Sequence, residues 1–127
     1  LDVDGDGQPD PELAKGLKLI RTPDLTYSLS GVYEIDTTFG DLLLRADYTY
    51  TDERPANDAN TLFLGAHRNL NANVSYKTSD GKFGLSLFGK NLTNDIDGAW
   101  GNTTPGFSSV VYPNSPRTWG IEATYEY

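Results

Sequence analysis

The chain has no cysteine among its 127 residues. That removes disulfides, thiolate metal sites and cysteine nucleophiles together. Histidine is nearly absent as well. His67 stands alone, so no zinc ligand set can be assembled from His and Cys, and no nucleophile elbow pairs a serine with it for triad chemistry. It reads as a polar residue on a strand extension. Basic residues are outnumbered, 10 against 18 acidic ones, for a formal net charge of −8. A nucleic-acid partner, which needs a basic face, is not expected. No apolar run approaches the roughly 18 residues of a membrane-spanning helix. After Leu1 there is no basic segment followed by an apolar run, so no signal peptide is expected; the chain reads as a cleaved product or a piece of a longer one, and the strand count favours the second. Helix signals are equally scarce, with only Pro11 to Gly16 offering a short polar possibility.

What is present is alternation. Mean hydropathy is negative, which in isolation suggests a soluble protein. Barrel strands, however, pair an apolar outward residue with a polar inward one and look hydrophilic on average. Leu25, Tyr27, Leu29, Gly31, Tyr33 and Ile35 oppose Thr26, Ser28, Ser30, Val32 and Glu34. Leu42, Leu44, Ala46, Tyr48 and Tyr50 oppose Leu43, Arg45, Asp47 and Thr49. A third run sets Leu62, Leu64, Ala66, Leu70, Ala72, Val74 and Tyr76 against Asn69, Asn71, Asn73 and Ser75, with Arg68 the exception on the apolar side. In a fourth, Phe83, Leu85 and Leu87 oppose Lys82, Gly84 and Ser86, and Phe88 breaks the pattern. The fifth is the cleanest: Trp119, Ile121, Ala123, Tyr125 and Tyr127 alternate with Thr118, Gly120, Glu122, Thr124 and Glu126.

The connections alternate too. Asp36 to Asp41 and Lys77 to Lys82 are tight, the second holding an Asp-Gly turn. Asp52 to Asn60 and Asn94 to Pro116 are long and rich in Asn, Asp, Gly and Pro. Short turns at one rim and long loops at the other are the asymmetry of an outer-membrane barrel. Tyr33, Tyr76, Phe83, Tyr125 and Tyr127 fall toward the short-turn rim, and Tyr27, Tyr48, Tyr50 and Trp119 toward the other. Two girdles are where amphipathic rings settle at membrane interfaces. A soluble β-sandwich also alternates, but has no reason to divide its aromatics between two rims. The expected fold is therefore all-β, an antiparallel meander of about five strands belonging to a larger transmembrane barrel. Residues 1–23 read as an extracellular loop segment and residues 24–127 as barrel strands. Five strands cannot close alone, since single-chain barrels need about eight.

One further motif stands near the start. Asp2, Asp4, Asp6, Gln8 and Asp10 fall in a D-x-D-x-D-G-x-x-D pattern, the front of a calcium loop, in which alternate oxygens converge on a hard cation. The twelfth position, which wants a bidentate Glu, holds Leu13, and Glu12 is out of register. The alternative is an acidic loop that is merely solvated. No other cofactor is expected. The Asn-x-Ser/Thr triplets at Asn73, Asn91 and Asn102 read as coincidence in a bacterial barrel.

Three segments resemble the C-terminal end of TonB-dependent outer-membrane receptors. Pro116 to Tyr127 resembles that family's closing strand, which ends on an aromatic residue. Phe88-Gly89-Lys90-Asn91-Leu92-Thr93-Asn94-Asp95 resembles the exit of its penultimate strand. Arg21-Thr22-Pro23, then Leu44 to Tyr50, match the style of its earlier strands. Together they cover about residues 16–127. The resemblance implies a barrel of about 22 strands with a plugged lumen in the bacterial outer membrane. It further implies energy-coupled import of a scarce ligand such as a ferric siderophore, a vitamin or a glycan, and no catalysis. The implied partners are membrane lipid, the barrel-assembly machinery, a small-molecule ligand, and the TonB coupling complex acting through parts not in this segment. Trp119, Ile121, Ala123, Tyr125 and Tyr127 would form the assembly signal. Arg45, Asp47, Asn69, Asn71, Asn73, Glu122 and Glu126 would face the lumen, as ligand contacts, plug contacts or a plain wetted wall. The rival readings are a passive porin or structural barrel, and a secreted calcium-binding β module.

Overall fold

The computed structural model describes residues 2, 6–8, 11–12, 15–104 and 107–127. Nine strands occur among them: β1 (Thr26–Thr37), β2 (Gly40–Thr51), β3 (Arg54–Pro55), β4 (Phe63–Leu64), β5 (His67–Thr78), β6 (Phe83–Lys90), β7 (Gly98–Thr104), β8 (Ser108–Pro113) and β9 (Thr118–Tyr125). There is no helix among the described residues. At the short polar stretch near the start, the Lys15 amide donates to the Glu12 carbonyl at 3.3 Å, a turn and not a helix.

Five strands form one antiparallel sheet in the order β1-β2-β5-β6-β9. Each long strand thus pairs with the next long strand in sequence, the all-β meander that alternation and tight turns predict. Register follows from parity. Val74 stands opposite Leu87 and Leu87 opposite Ile121; Tyr76, Leu85 and Ala123 form the next row, and Ala72, Gly89 and Trp119 the one before. The intervening rows are Ser75, Ser86, Glu122 and Asn73, Phe88, Gly120. Because a slip of one residue would carry every side chain to the opposite face, these rows give the sheet one apolar and one polar side. The two tight connections are closed at their ends by side chains. Tyr76 donates its hydroxyl to the Phe39 carbonyl at 2.8 Å, and Asp80 Oδ1 accepts the Thr78 hydroxyl at 2.6 Å and the Lys82 amide at 3.0 Å.

Two features depart from expectation. The run from Leu62 to Tyr76 is not one strand. It breaks at Gly65 and Ala66, and Phe63–Leu64 pairs with Arg54–Pro55 instead of extending β5. The long connections are also not irregular, since the first holds β3 and the second holds the β7–β8 hairpin. Two-residue strands are too short to show a period, and β7, Gly98–Thr104 with two glycines, carries no apolar alternation.

The chain divides into two compact units, each considered by itself. Tyr27–Tyr50, Arg68–Asp95 and Ser115–Tyr127 make the sheet unit; Leu1–Thr26, Thr51–His67 and Ile96–Asn114 make the loop unit. The loop unit has a small core. Pro55, Ala56 and Leu64 are buried there, and a Cβ on Gly101 would lie 3.2 Å from each of Ala56, Leu62 and Leu64, so β7 packs its bare backbone on them. Asn60 ties Lys18 into the same unit: its Oδ1 accepts the Lys18 amide at 2.7 Å and its Nδ2 donates to the Lys18 carbonyl at 3.0 Å. The sheet unit has no such core. Not one apolar side chain of its five strands is buried.

Candidate functional site

Chemistry in this chain is divided between the two sides of the sheet and a clasp at one rim. On the polar side, Arg45 donates to Asp47 through Nε at 2.8 Å and through its terminal nitrogen at 3.1 Å. The Ser30 hydroxyl donates to the same carboxylate at 2.7 Å. Asn73 Nδ2 donates to Ser86 Oγ at 3.0 Å, and Asn71 Oδ1 accepts the Asn91 amide at 3.0 Å. Asn69 Oδ1 is buried and finds no hydrogen-bond partner among the described residues. Arg45, Asp47, Asn71 and Asn73 line one shallow hollow of about 250 Å³ with Phe88 and Lys90. Glu122 and Glu126 line another, of about 390 Å³, with Asp41, Lys77 and Thr124. The sequence-derived set of inward residues therefore falls into two groups, with Asn69 lining neither hollow.

Phe88 belongs to this polar side and was not in that set. It stands opposite both Asn73 and Gly120, and a Cβ at Gly120 would come within 2.6 Å of its ring. Ring and glycine are complementary: the aromatic covers a bare stretch of β9 that a side chain would close. The break in alternation at Phe88 was the available signal.

The other side carries Trp119, Ile121, Ala123 and Tyr125 on β9, all exposed; Trp119 is 72% and Ile121 65% accessible. β9 pairs only with β6 in the sheet and ends at Tyr125. Tyr127 lies beyond it, although the Glu126 amide still reaches the Lys82 carbonyl at 2.8 Å. Toward the long connections this side bears a ring cluster: Tyr27 stacks on Tyr50 with centroids 5.2 Å apart, and Tyr48 lies 6.1 Å from Tyr27.

The clasp is built on Asn91, which is 6% accessible and adopts φ +48°. Its Nδ2 donates to the carbonyls of Asp95 at 3.0 Å and Ser115 at 2.8 Å, while its Oδ1 accepts from the Thr93 hydroxyl at 3.0 Å and the Asp95 amide at 3.1 Å. Around it, the Leu92 amide donates to the Leu70 carbonyl, the Thr93 hydroxyl to the Arg68 carbonyl, and the Arg68 amide to Asp95 Oδ2. The Arg117 amide donates to Asn94 Oδ1 at 3.1 Å. The residues after β6 are thereby stitched to the start of β5 and to the entry of β9. Asn accepts left-handed φ and offers donors and acceptors at once, which suits it to the pivot.

Of the calcium-loop residues, Asp2 Oδ2 accepts the Gly7 amide at 3.0 Å and Asp6 Oδ1 the Gln8 amide at 2.8 Å; Asp4 and Asp10 lie outside the described residues. Among the described residues no group of three His, Cys, Asp or Glu is placed to hold a metal. His67 Nδ1 is 3.4 Å from Asn114 Nδ2, a contact within the loop unit.

No family model and no curated protein matches the sequence. Among solved structures, the chain is similar to BauA, the ferric preacinetobactin receptor of Acinetobacter baumannii, with a TM-score of 0.68 and 19% identity over 93% of this chain. It spans 17% of the receptor's length. At that identity the likeness is one of fold: these strands are arranged like a part of that receptor chain.

Proposed function

We propose that this chain supplies wall strands of a TonB-dependent receptor in the bacterial outer membrane, a protein that imports a scarce ligand such as a ferric siderophore. The observation that carries the reading is the sheet's uncovered apolar side. Leu29 is 64%, Leu87 50%, Ile121 65% and Tyr125 67% accessible, and no strand of the sheet buries an apolar side chain. A soluble domain needs a second layer against such a face; a barrel wall meets lipid there. The opposite side, with Arg45, Asp47, the three asparagines, Glu122 and Glu126, then faces a plug or a wetted lumen. No residue is assigned a chemical step, and the fold likeness to a ferric-siderophore receptor supports transport.

The test uses the full-length protein containing this segment. It should partition to the outer membrane, migrate differently on gels before and after heating, and support uptake of ⁵⁵Fe-loaded siderophore only in cells with intact TonB coupling. Uptake that persists without coupling would select a passive barrel. A water-soluble product without heat-modifiable migration would refute the barrel.

A further inference from the structure

Within the five sheet strands, the apolar side carries a single charged residue, Arg68. The other charged side chains there alternate to the polar side: Glu34, Asp36, Asp41, Arg45, Asp47, Lys77, Lys90 and Glu122. Arg68 is the second residue of β5, ten positions from Thr78 at the short-turn end. Ten residues of strand span roughly 33 Å, or roughly 23 Å along the membrane normal at a barrel's tilt, against an apolar band of about 25 Å. Arg68 therefore stands at the outer margin of the lipid-facing band, where a cation is tolerated far better than at the midplane.

Its surroundings are built for a cation. The guanidinium lies 5.5 Å from the Tyr50 ring centroid, and Tyr27 stacks on Tyr50 from the neighbouring strand. A cation–π contact with the Tyr50 ring does not itself use the guanidinium N–H donors. No ion pair of Arg68 is found among the described residues. The nearby Asp95 carboxylate accepts the Arg68 backbone amide at 2.7 Å.

We propose that Arg68, flanked by Tyr27 and Tyr50, binds the phosphate of a phosphorylated lipid headgroup in the leaflet surrounding the long-connection rim. The inference rests on the barrel reading above. Charge complementarity selects the occupant. A molecule covering Leu29, Val74 and Leu87 must be apolar over most of its length, and anionic where it meets the one cation at the margin. The planar guanidinium fork matches a phosphate bidentately.

The experiment measures retention of diphosphorylated lipid A, against the same lipid after phosphatase treatment, by native mass spectrometry of the full-length protein. Wild type should prefer the phosphorylated form about tenfold, the scale of one charge-assisted contact. Arg68→Gln should abolish most of that preference, and Arg68→Lys should keep part of it, because charge survives while the fork is lost. Equal preference in Arg68→Gln and wild type, or no preference in wild type, would overturn the site. Heat-modifiable migration of the same samples separates the two levels. A folded barrel without phosphate preference refutes the headgroup site alone, whereas a wild-type protein that never shows such migration refutes the barrel and the site together.

Discussion

Replacing Asn91 by alanine tests whether the clasp, and not strand pairing alone, secures the junction of β5, β6 and β9. Alanine removes four hydrogen bonds, to the Asp95 and Ser115 carbonyls, the Asp95 amide and the Thr93 hydroxyl. At about 1 kcal/mol net each, these sum to about 4 kcal/mol. The left-handed φ of +48° adds about 1 kcal/mol for a residue with a Cβ and no local polar compensation. Water reaching the exposed Thr93 recovers part of this, so a loss of about 3–5 kcal/mol is expected. Two further variants separate the causes. Asn91→Gly relieves the backbone and should be milder than alanine by about 1 kcal/mol. Asn91→Asp keeps the acceptor oxygen but turns a second oxygen onto two carbonyls, and should be no better than alanine. The assay is equilibrium urea unfolding of the full-length protein refolded in lipid vesicles, read by heat-modifiable migration. An Asn91→Asp variant as stable as wild type, or an alanine variant within about 1 kcal/mol of it, would refute the clasp.

Three other outcomes follow from the same geometry. Ile121→Lys should destabilise the vesicle-inserted protein by about 2–4 kcal/mol while Glu122→Lys, one residue along on the polar side, costs much less; equal losses in the urea assay would contradict the assignment of faces. Asp80 sits in the tight turn between β5 and β6, where the Thr78 hydroxyl and then the Lys82 amide hold its carboxyl below the ordinary aspartate range. Its stabilisation of the turn is therefore complete above the unfolded value of about 3.9 and lost as pH falls through the lower folded value; the protection of the Gly81 and Lys82 amides, relative to their intrinsic exchange rate at each pH, should fall with acidification in wild type and show no such step in Asp80→Asn. Tyr127→Asp should lower the heat-modifiable outer-membrane fraction more than Glu126→Gln, because a ring is favoured at the interface and a carboxylate is not; equal recovery of Tyr127→Asp and wild type would deny Tyr127 an assembly role.

The order of the sheet was legible because each of its strands carries its own period-two signal and the connections carry turn chemistry. Leu25 to Ile35, Leu42 to Tyr50 and Trp119 to Tyr125 could be read without reference to one another. What escaped was set by tertiary contact. Leu62 and Leu64 continue the parity of β5, yet Phe63–Leu64 pairs with Arg54 and Pro55, because the loop unit buries Leu64 beside Ala56 and against the Gly101 backbone. No local pattern announces a partner of two residues. The β7–β8 hairpin is hidden for a related reason: its packing uses absent side chains, and glycine reads as loop.

The faces tell a parallel story about the site. Arg45, Asp47, the asparagines, Glu122 and Glu126 were visible as inward candidates from parity alone, but parity cannot say which of them meet, and the structure gathers Arg45, Asp47, Asn71 and Asn73 at one hollow and Glu122 and Glu126 at another. The more informative residues are those that broke the pattern. Phe88, an aromatic on the polar side, covers the bare backbone at Gly120. Arg68, a cation on the apolar side, lies over Tyr50 at one margin. Asn91 ends a strand in a conformation that strands do not use, and holds three segments there. Alternation is what a wall requires, so departures from it carry the specific information. A residue that violates the period must be compensated by a neighbour, and at Phe88 and Asn91 the compensating groups lie within the chain. At Arg68 the Tyr50 ring lies beneath the guanidinium, and the proposed phosphate would complete the compensation from outside the chain.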